Sequence, residues 1–227
     1  MTRGAGVAAP DSHGTRVLEG YGAGLVRERA MATAVQRALE RLYQLERAAD
    51  VLAFMTEAEE DQREALLVHD RGDGTIEMAL RVPRLIGDTF DMGRGASLDP
   101  LCQIIEGVSH FVYIADRARV DREATQLELE MQAEVDKYVV LASAVKDLDV
   151  RASATLRRRL FEEVSFADDA GSEAGERYRI ANDLAHTFVR RLEHAFVARK
   201  RYPEMRDALR HFYRLGQEEK LRLARAA

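Results

Sequence analysis

Residues 99–118 read DPLCQIIEGVSHFVYIADRA, and the character of this stretch decides what kind of fold the chain can adopt. Asp99 followed by Pro100 is a helix-opening signal, with Asp99 expected as the N-cap and Pro100 in the first turn. At about 100° per residue, Leu101, Ile105, Val108, Val112 and Ala115 line one face of the helix. A surface helix would carry charge on the opposite side. Here that side holds Gln103, Glu106, His110, Tyr113 and Ile114 with Gly107 alongside, and Glu106 is the one formally charged side chain between Pro100 and Ala115. A helix this apolar all round is expected to lie inside a core and be covered by other elements.

The flanking sequence supplies those elements. From Leu25 to Phe54 the pattern reads as helix, with Met31, Val35, Ala38, Leu42 and Leu45 in a narrow seam that continues to Ala49 and Leu52. Such a seam is the signature of helical hairpins and coiled coils, within one chain or across a dimer. Next, Ala65–His69 and Thr75–Val82 surround Asp70-Arg71-Gly72-Asp73-Gly74. Ile76, Met78, Leu80 and Val82 alternate along one side, so a β-hairpin is expected over about residues 64–83. Pro83 ends its second strand by withholding a ladder donor. A lone hairpin is marginal in water, so it must pack on helices or pair with another chain.

Downstream, Asp121 is expected to cap a helix running to about Leu148. Leu127, Leu129, Met131, Ala133 and Val135 alternate as in a strand, but their Glu and Gln neighbours favour helix. Further helices are expected at Ala152–Val164, Glu176–Lys200 and Pro203–Ala224, with loops at 84–98 and 168–175. Residues 1–24, rich in glycine, read as a flexible tail, and Gly20-Tyr21-Gly22-Ala23-Gly24 lacks the strand and Gly-Lys-Ser/Thr of a phosphate loop. The expectation is a mainly α fold: one bundle-like domain over 25–227, with five or six helices and an inserted hairpin.

Composition narrows the function classes. The 227 residues are 46% hydrophobic, which suffices for a sizeable core, and no apolar run is long enough to span a membrane. The N-terminus has no hydrophobic signal core, so a cytoplasmic protein is expected. Cys102 is the single cysteine, which rules out an internal disulfide. The net charge of −5 divides unevenly: residues 1–150 carry 17 Lys+Arg against 27 Asp+Glu (−10), and residues 151–227 carry 17 against 12 (+5). Thirty of the 34 cations are arginine, as a GC-rich bacterial genome would produce.

Three groups of residues could carry function. Glu106 and His110 lie one turn apart in apolar surroundings, and Glu134 falls within the next helix's apolar stripe with Glu130 at its margin. A core-facing carboxylate must be paired, protonated or bound to a cation. Glu106, His110 and Glu134 are read first as a buried hydrogen-bonded network, and alternatively, with Glu130, as candidate ligands for a divalent metal such as iron, manganese or zinc. No cofactor is otherwise evident, and the paired Glu-x-x-His units of di-iron bundles are missing. Second, Arg190, Arg191, Arg199, Lys200 and Arg201 lie among aromatics, as in polyanion binders, but acidic neighbours dilute them and do not favour nucleic acid. Third, Asp183, His186, Arg190 and Glu193 share a helix face that reads as solvated. No catalytic constellation is complete, so no catalytic residue is assigned. The leading expectation is a non-enzymatic interaction protein (adaptor, scaffold or complex subunit) that self-associates; the alternatives are a metal-dependent or acid–base enzyme and a nucleic-acid binder.

Overall fold

The computed structural model describes residues 6–8, 25–59, 62–72, 75–85 and 98–226. The fold is mainly α with an inserted sheet, as the periodicities require. Elements follow in the order β1 (Gly6–Ala8), α1 (Val26–Tyr43), β2 (Met55–Glu57), β3 (Ala65–Asp70), β4 (Thr75–Val82), α2 (Asp99–Arg119), α3 (Gln126–Ala144), α4 (Val150–Phe161), α5 (Glu173–Ala195), α6 (Tyr202–Arg214) and α7 (Gln217–Arg225). Packing divides the chain into two compact units. One takes residues up to Glu40 and Leu45–Glu123; the other takes Arg41–Gln44 and Ala124 onward.

In the first unit, α2 packs on the sheet. β4 is central: β3 runs antiparallel along one edge, pairing Ala65 with Arg81 through Asp70 with Ile76. The other edge is shared end to end by two short parallel strands, β1 beside Thr75–Glu77 and β2 beside Leu80–Val82. The expected hairpin is therefore present, enlarged by two strands that are too short to show a period of two. Gly6–Ala8 falls within the stretch read as a tail. The remainder of that tail, the Asp73-Gly74 turn and most of the 84–98 loop lie outside the described residues. β4 stops at Val82, before Pro83, and its Met78, Leu80 and Val82 are buried. Gly107 is what lets α2 approach so closely: a Cβ there would sit 2.6 Å from Leu80 Cδ1 and 2.8 Å from Glu64 Oε2.

Several expected boundaries move. α1 ends at Tyr43, not Phe54, where Gln44 takes a left-handed conformation (φ 58°). The chain then doubles back, because the Gln36 amide grips the returning segment: its Nε2 donates to Ala49 O (2.7 Å) and its Oε1 accepts from Val51 N (3.1 Å). Arg47 adds a two-pronged contact with Glu40. The buried line on α1 is Glu28, Ala32, Val35, Leu39 and Tyr43, rotated from the seam expected through Met31, Ala38 and Leu42. Glu28 belongs to it because its carboxylate accepts the Leu85 backbone N–H (2.6 Å). Asp99 lies inside the first turn of α2 instead of capping it, and its carboxylate accepts from Gln103 (2.7 Å) and Arg63 (3.0 Å).

In the second unit α5 is the hub, touching α3, α4 and α7. Residues 127–135 are helical. α3 starts later than expected because Thr125, not Asp121, forms a reciprocal capping box with Glu128. Asp121 instead adopts a left-handed turn conformation. Asp149 caps α4, and Ser172 caps α5 through Gly175 N–H (3.0 Å). A Cβ on Gly175 would lie 2.0 Å from the Asp169 carbonyl oxygen, so only glycine fits that turn. The single helix expected over Pro203–Ala224 is two, parted at Leu215-Gly216.

Candidate functional site

The four candidate metal ligands are divided between the two units. Glu106 and His110 belong to α2, where 15 of 21 residues are buried. Both are themselves buried, and a carboxylate oxygen and a ring nitrogen lie within 4.8 Å of each other. The pair follows from helical spacing, since residues four apart share a face. Burial works against the charge of nearby Arg63, but its hydrogen bonds to Asp99 and the charges of Asp99, Glu106 and Glu64 outweigh that and raise its pKa. Three turns beyond Glu106, Arg117 donates to Tyr113, its guanidinium 4.6 Å from that ring's centre.

Glu130 and Glu134 belong to α3 in the second unit. Glu130 is buried with Arg177 at 4.0 Å, and Glu134 forms an ion pair with Lys137 at 2.6 Å. Both carboxylates thus have a cation on their own unit.

The arginine-rich group is not one basic surface. Arg191 is turned inward, its guanidinium donating to the carbonyls of Leu223 (2.7 Å) and Ala226 (2.8 Å) at the end of α7, and burial lowers its pKa. Arg201 pairs with Glu204 (2.9 Å). Arg190, Arg199 and Lys200 are exposed.

Two polar chains in the second unit escaped the sequence reading. In the first, Tyr43 donates to Asp136, the Gln132 amide donates to both of them at 3.0 Å, and Lys220 Nζ donates to Gln132 Oε1 at 2.9 Å. All four side chains are buried, and Lys220 lies 5.0 Å from the Phe212 ring centre. Burial first, and then the Asp136 charge, push the Tyr43 pKa well above its ordinary value. In the second chain, the Tyr138 hydroxyl meets Ser153 Oγ (2.6 Å), and Ser153 donates to Glu193 (2.7 Å). Arg157 Nε donates to the other Glu193 oxygen (2.7 Å), and its Nη1 reaches Glu162 (2.9 Å) and His186 Nε2 (2.5 Å). Burial raises the Tyr138 pKa to about 12.

The face read as solvated is therefore not uniform. Glu193 is buried and hydrogen-bonded, because α4 lies against that side of α5, whereas Asp183 and Arg190 are exposed. Comparison with known proteins yields no matching family model, no curated relative and no similar solved structure. Among the described residues, no helix is long and apolar enough to cross a membrane.

Proposed function

We propose that the chain is a non-enzymatic interaction protein, an adaptor, scaffold or complex subunit, that self-associates along the outer edge of β3. The observation that carries this reading is the state of that edge. Among the described residues, no strand pairs with it. Leu67 and Val68 are each 46% exposed. The ladder phase follows from Arg71 N donating to Thr75 O: odd-numbered residues of β3 bond to β4, so Leu66, Val68 and Asp70 direct their N–H and C=O groups outward. At the strand's start the edge is closed, because Glu64 N donates to Gln103 (3.0 Å).

An open edge recruits another strand. The occupant is β3 of a second copy, antiparallel about a two-fold at Val68. That register opposes Leu66 to Asp70 and matches every outward group. Moving the axis to Leu67 would set Glu64 against Asp70 and Arg63 against Arg71, pairs of like charge that oppose it. Val68→Pro removes an outward N–H and leaves the β3–β4 ladder intact. Sedimentation should show a concentration-dependent dimer in the wild type and a folded monomer in Val68→Pro. A wild type that stays monomeric at every concentration overturns the reading.

A second reading rests on Glu106 and His110, a buried carboxylate and imidazole one turn apart that could furnish two ligands to a divalent metal. Protein purified without chelator should then carry near-stoichiometric metal that Glu106→Gln with His110→Ala loses. Folded, metal-free protein removes that reading.

A further inference from the structure

We propose that His186 is an acid-sensitive catch between α4 and α5, engaged while its imidazole is neutral and released when it takes up a proton. The inference is independent of the β3 edge. Arg157 has five N–H donors and no acceptor, so at 2.5 Å from His186 Nε2 it can only donate. The imidazole must therefore present a lone pair at Nε2 and keep its proton on Nδ1. Its ring is fixed by stacking on Phe161, with centroids 5.7 Å apart and planes 18° apart.

The surrounding charges define the switch. From α4 comes Arg157, itself anchored by Glu193 of α5 (2.7 Å). From the segment after α4 comes Glu162, 2.9 Å from Arg157 and 3.4 Å from His186 Nε2. On α5 itself, Asp183 and Arg190 stand one turn to either side. Protonation removes the acceptor and places an imidazolium against a guanidinium. It also makes Nε2 a donor to Glu162, whose oxygen already lies near both cations. Glu162 then passes from Arg157 to His186, and Arg157 keeps only Glu193. The Arg157–His186 hydrogen bond across the α4–α5 contact is lost, and the Glu162–His186 pair that replaces it is solvent-exposed at Glu162 and contributes little.

Burial, followed by the Arg157 charge, lowers the His186 pKa, and the Glu162 charge only partly offsets this. The unfolded chain therefore binds this proton more readily than the folded one. Stability is complete above the ordinary value of 6.5 and falls as pH drops from there through the lower, folded value. The test uses the full chain. NMR titration of the His186 ring should give a midpoint below 6.5 in the wild type, moving up in Arg157→Met. The unfolding equilibrium constant should rise more on acidification in the wild type than in His186→Gln, whose amide oxygen accepts from Arg157 at every pH. A wild-type midpoint at or above 6.5, no movement in Arg157→Met, or an unchanged acid response in His186→Gln would each overturn the proposal. The ring titration decides the matter should His186→Gln fail to fold.

Discussion

Helices α2 and α3 are both largely buried, 15 of 21 residues in one and 11 of 19 in the other, and each buries five polar or charged side chains, yet they differ in how much apolar surface accompanies them. α2 adds Ile104, Ile105, Val108 and Phe111, which are fully covered. Each such side chain stabilises by about 1.5–3 kcal/mol, with no need for a directed partner. α3 buries Glu128, Glu130, Gln132, Asp136 and Lys137, groups that cost free energy unless each meets a hydrogen-bond partner. The first helix leans more on filled space, and the second more on named atoms at set distances. Damage should therefore be graded by volume around α2 and by lost partners around α3.

The largest effect is expected at Lys220. Lys220→Ala removes a fully buried cation from the Tyr43–Gln132–Asp136 chain and should destabilise the protein by about 3–5 kcal/mol in urea unfolding. Lys220→Met keeps the aliphatic volume, so a loss as large as that of alanine would assign the stabilisation to the ammonium, and near-wild-type stability would assign it to packing. Around α2, Gly107→Ala drives a methyl group against Leu80 and Glu64 and should cost about 1–3 kcal/mol, with the sheet shifting to make room. A neutral result there would break the contrast, because it would mean α2 is not close-packed on β4. Smaller still, Ser172→Ala removes the α5 cap and should lower stability by about 1 kcal/mol, leaving Gly175 N–H without its side-chain acceptor. Thr125→Ala should cost a similar amount at α3, and a markedly larger loss would show that its contact with Gln217 at 2.5 Å also matters.

How legible each helix was in the sequence follows from the same contrast. α2 could be read residue by residue, since the near absence of charge from Pro100 to Ala115 has one physical meaning. The pairing of Glu106 with His110 was readable too, because it is set by helical geometry alone. The place of Glu193 was not: on a helical projection it sits among polar residues, and only the approach of α4 turns that face inward. The end of α1 was hidden for a related reason. No proline or glycine marks Tyr43, and what stops the helix there is a left-handed Gln44 with a returning segment held by Gln36.

By itself, then, the sequence determined the class of fold, the hairpin with its buried alternate residues, the central apolar helix and the buried Glu106–His110 pair. These are matters of local period and of how much apolar surface must leave water. Tertiary structure alone decided that β4 has two further short partners, that Arg191 closes α7, and that Lys220 and Glu193 end in polar chains. Hydrogen bonds between residues 88 and 40 positions apart, as in Gln132–Lys220 and Ser153–Glu193, leave no periodic trace in a sequence, because their geometry exists only once the helices have packed.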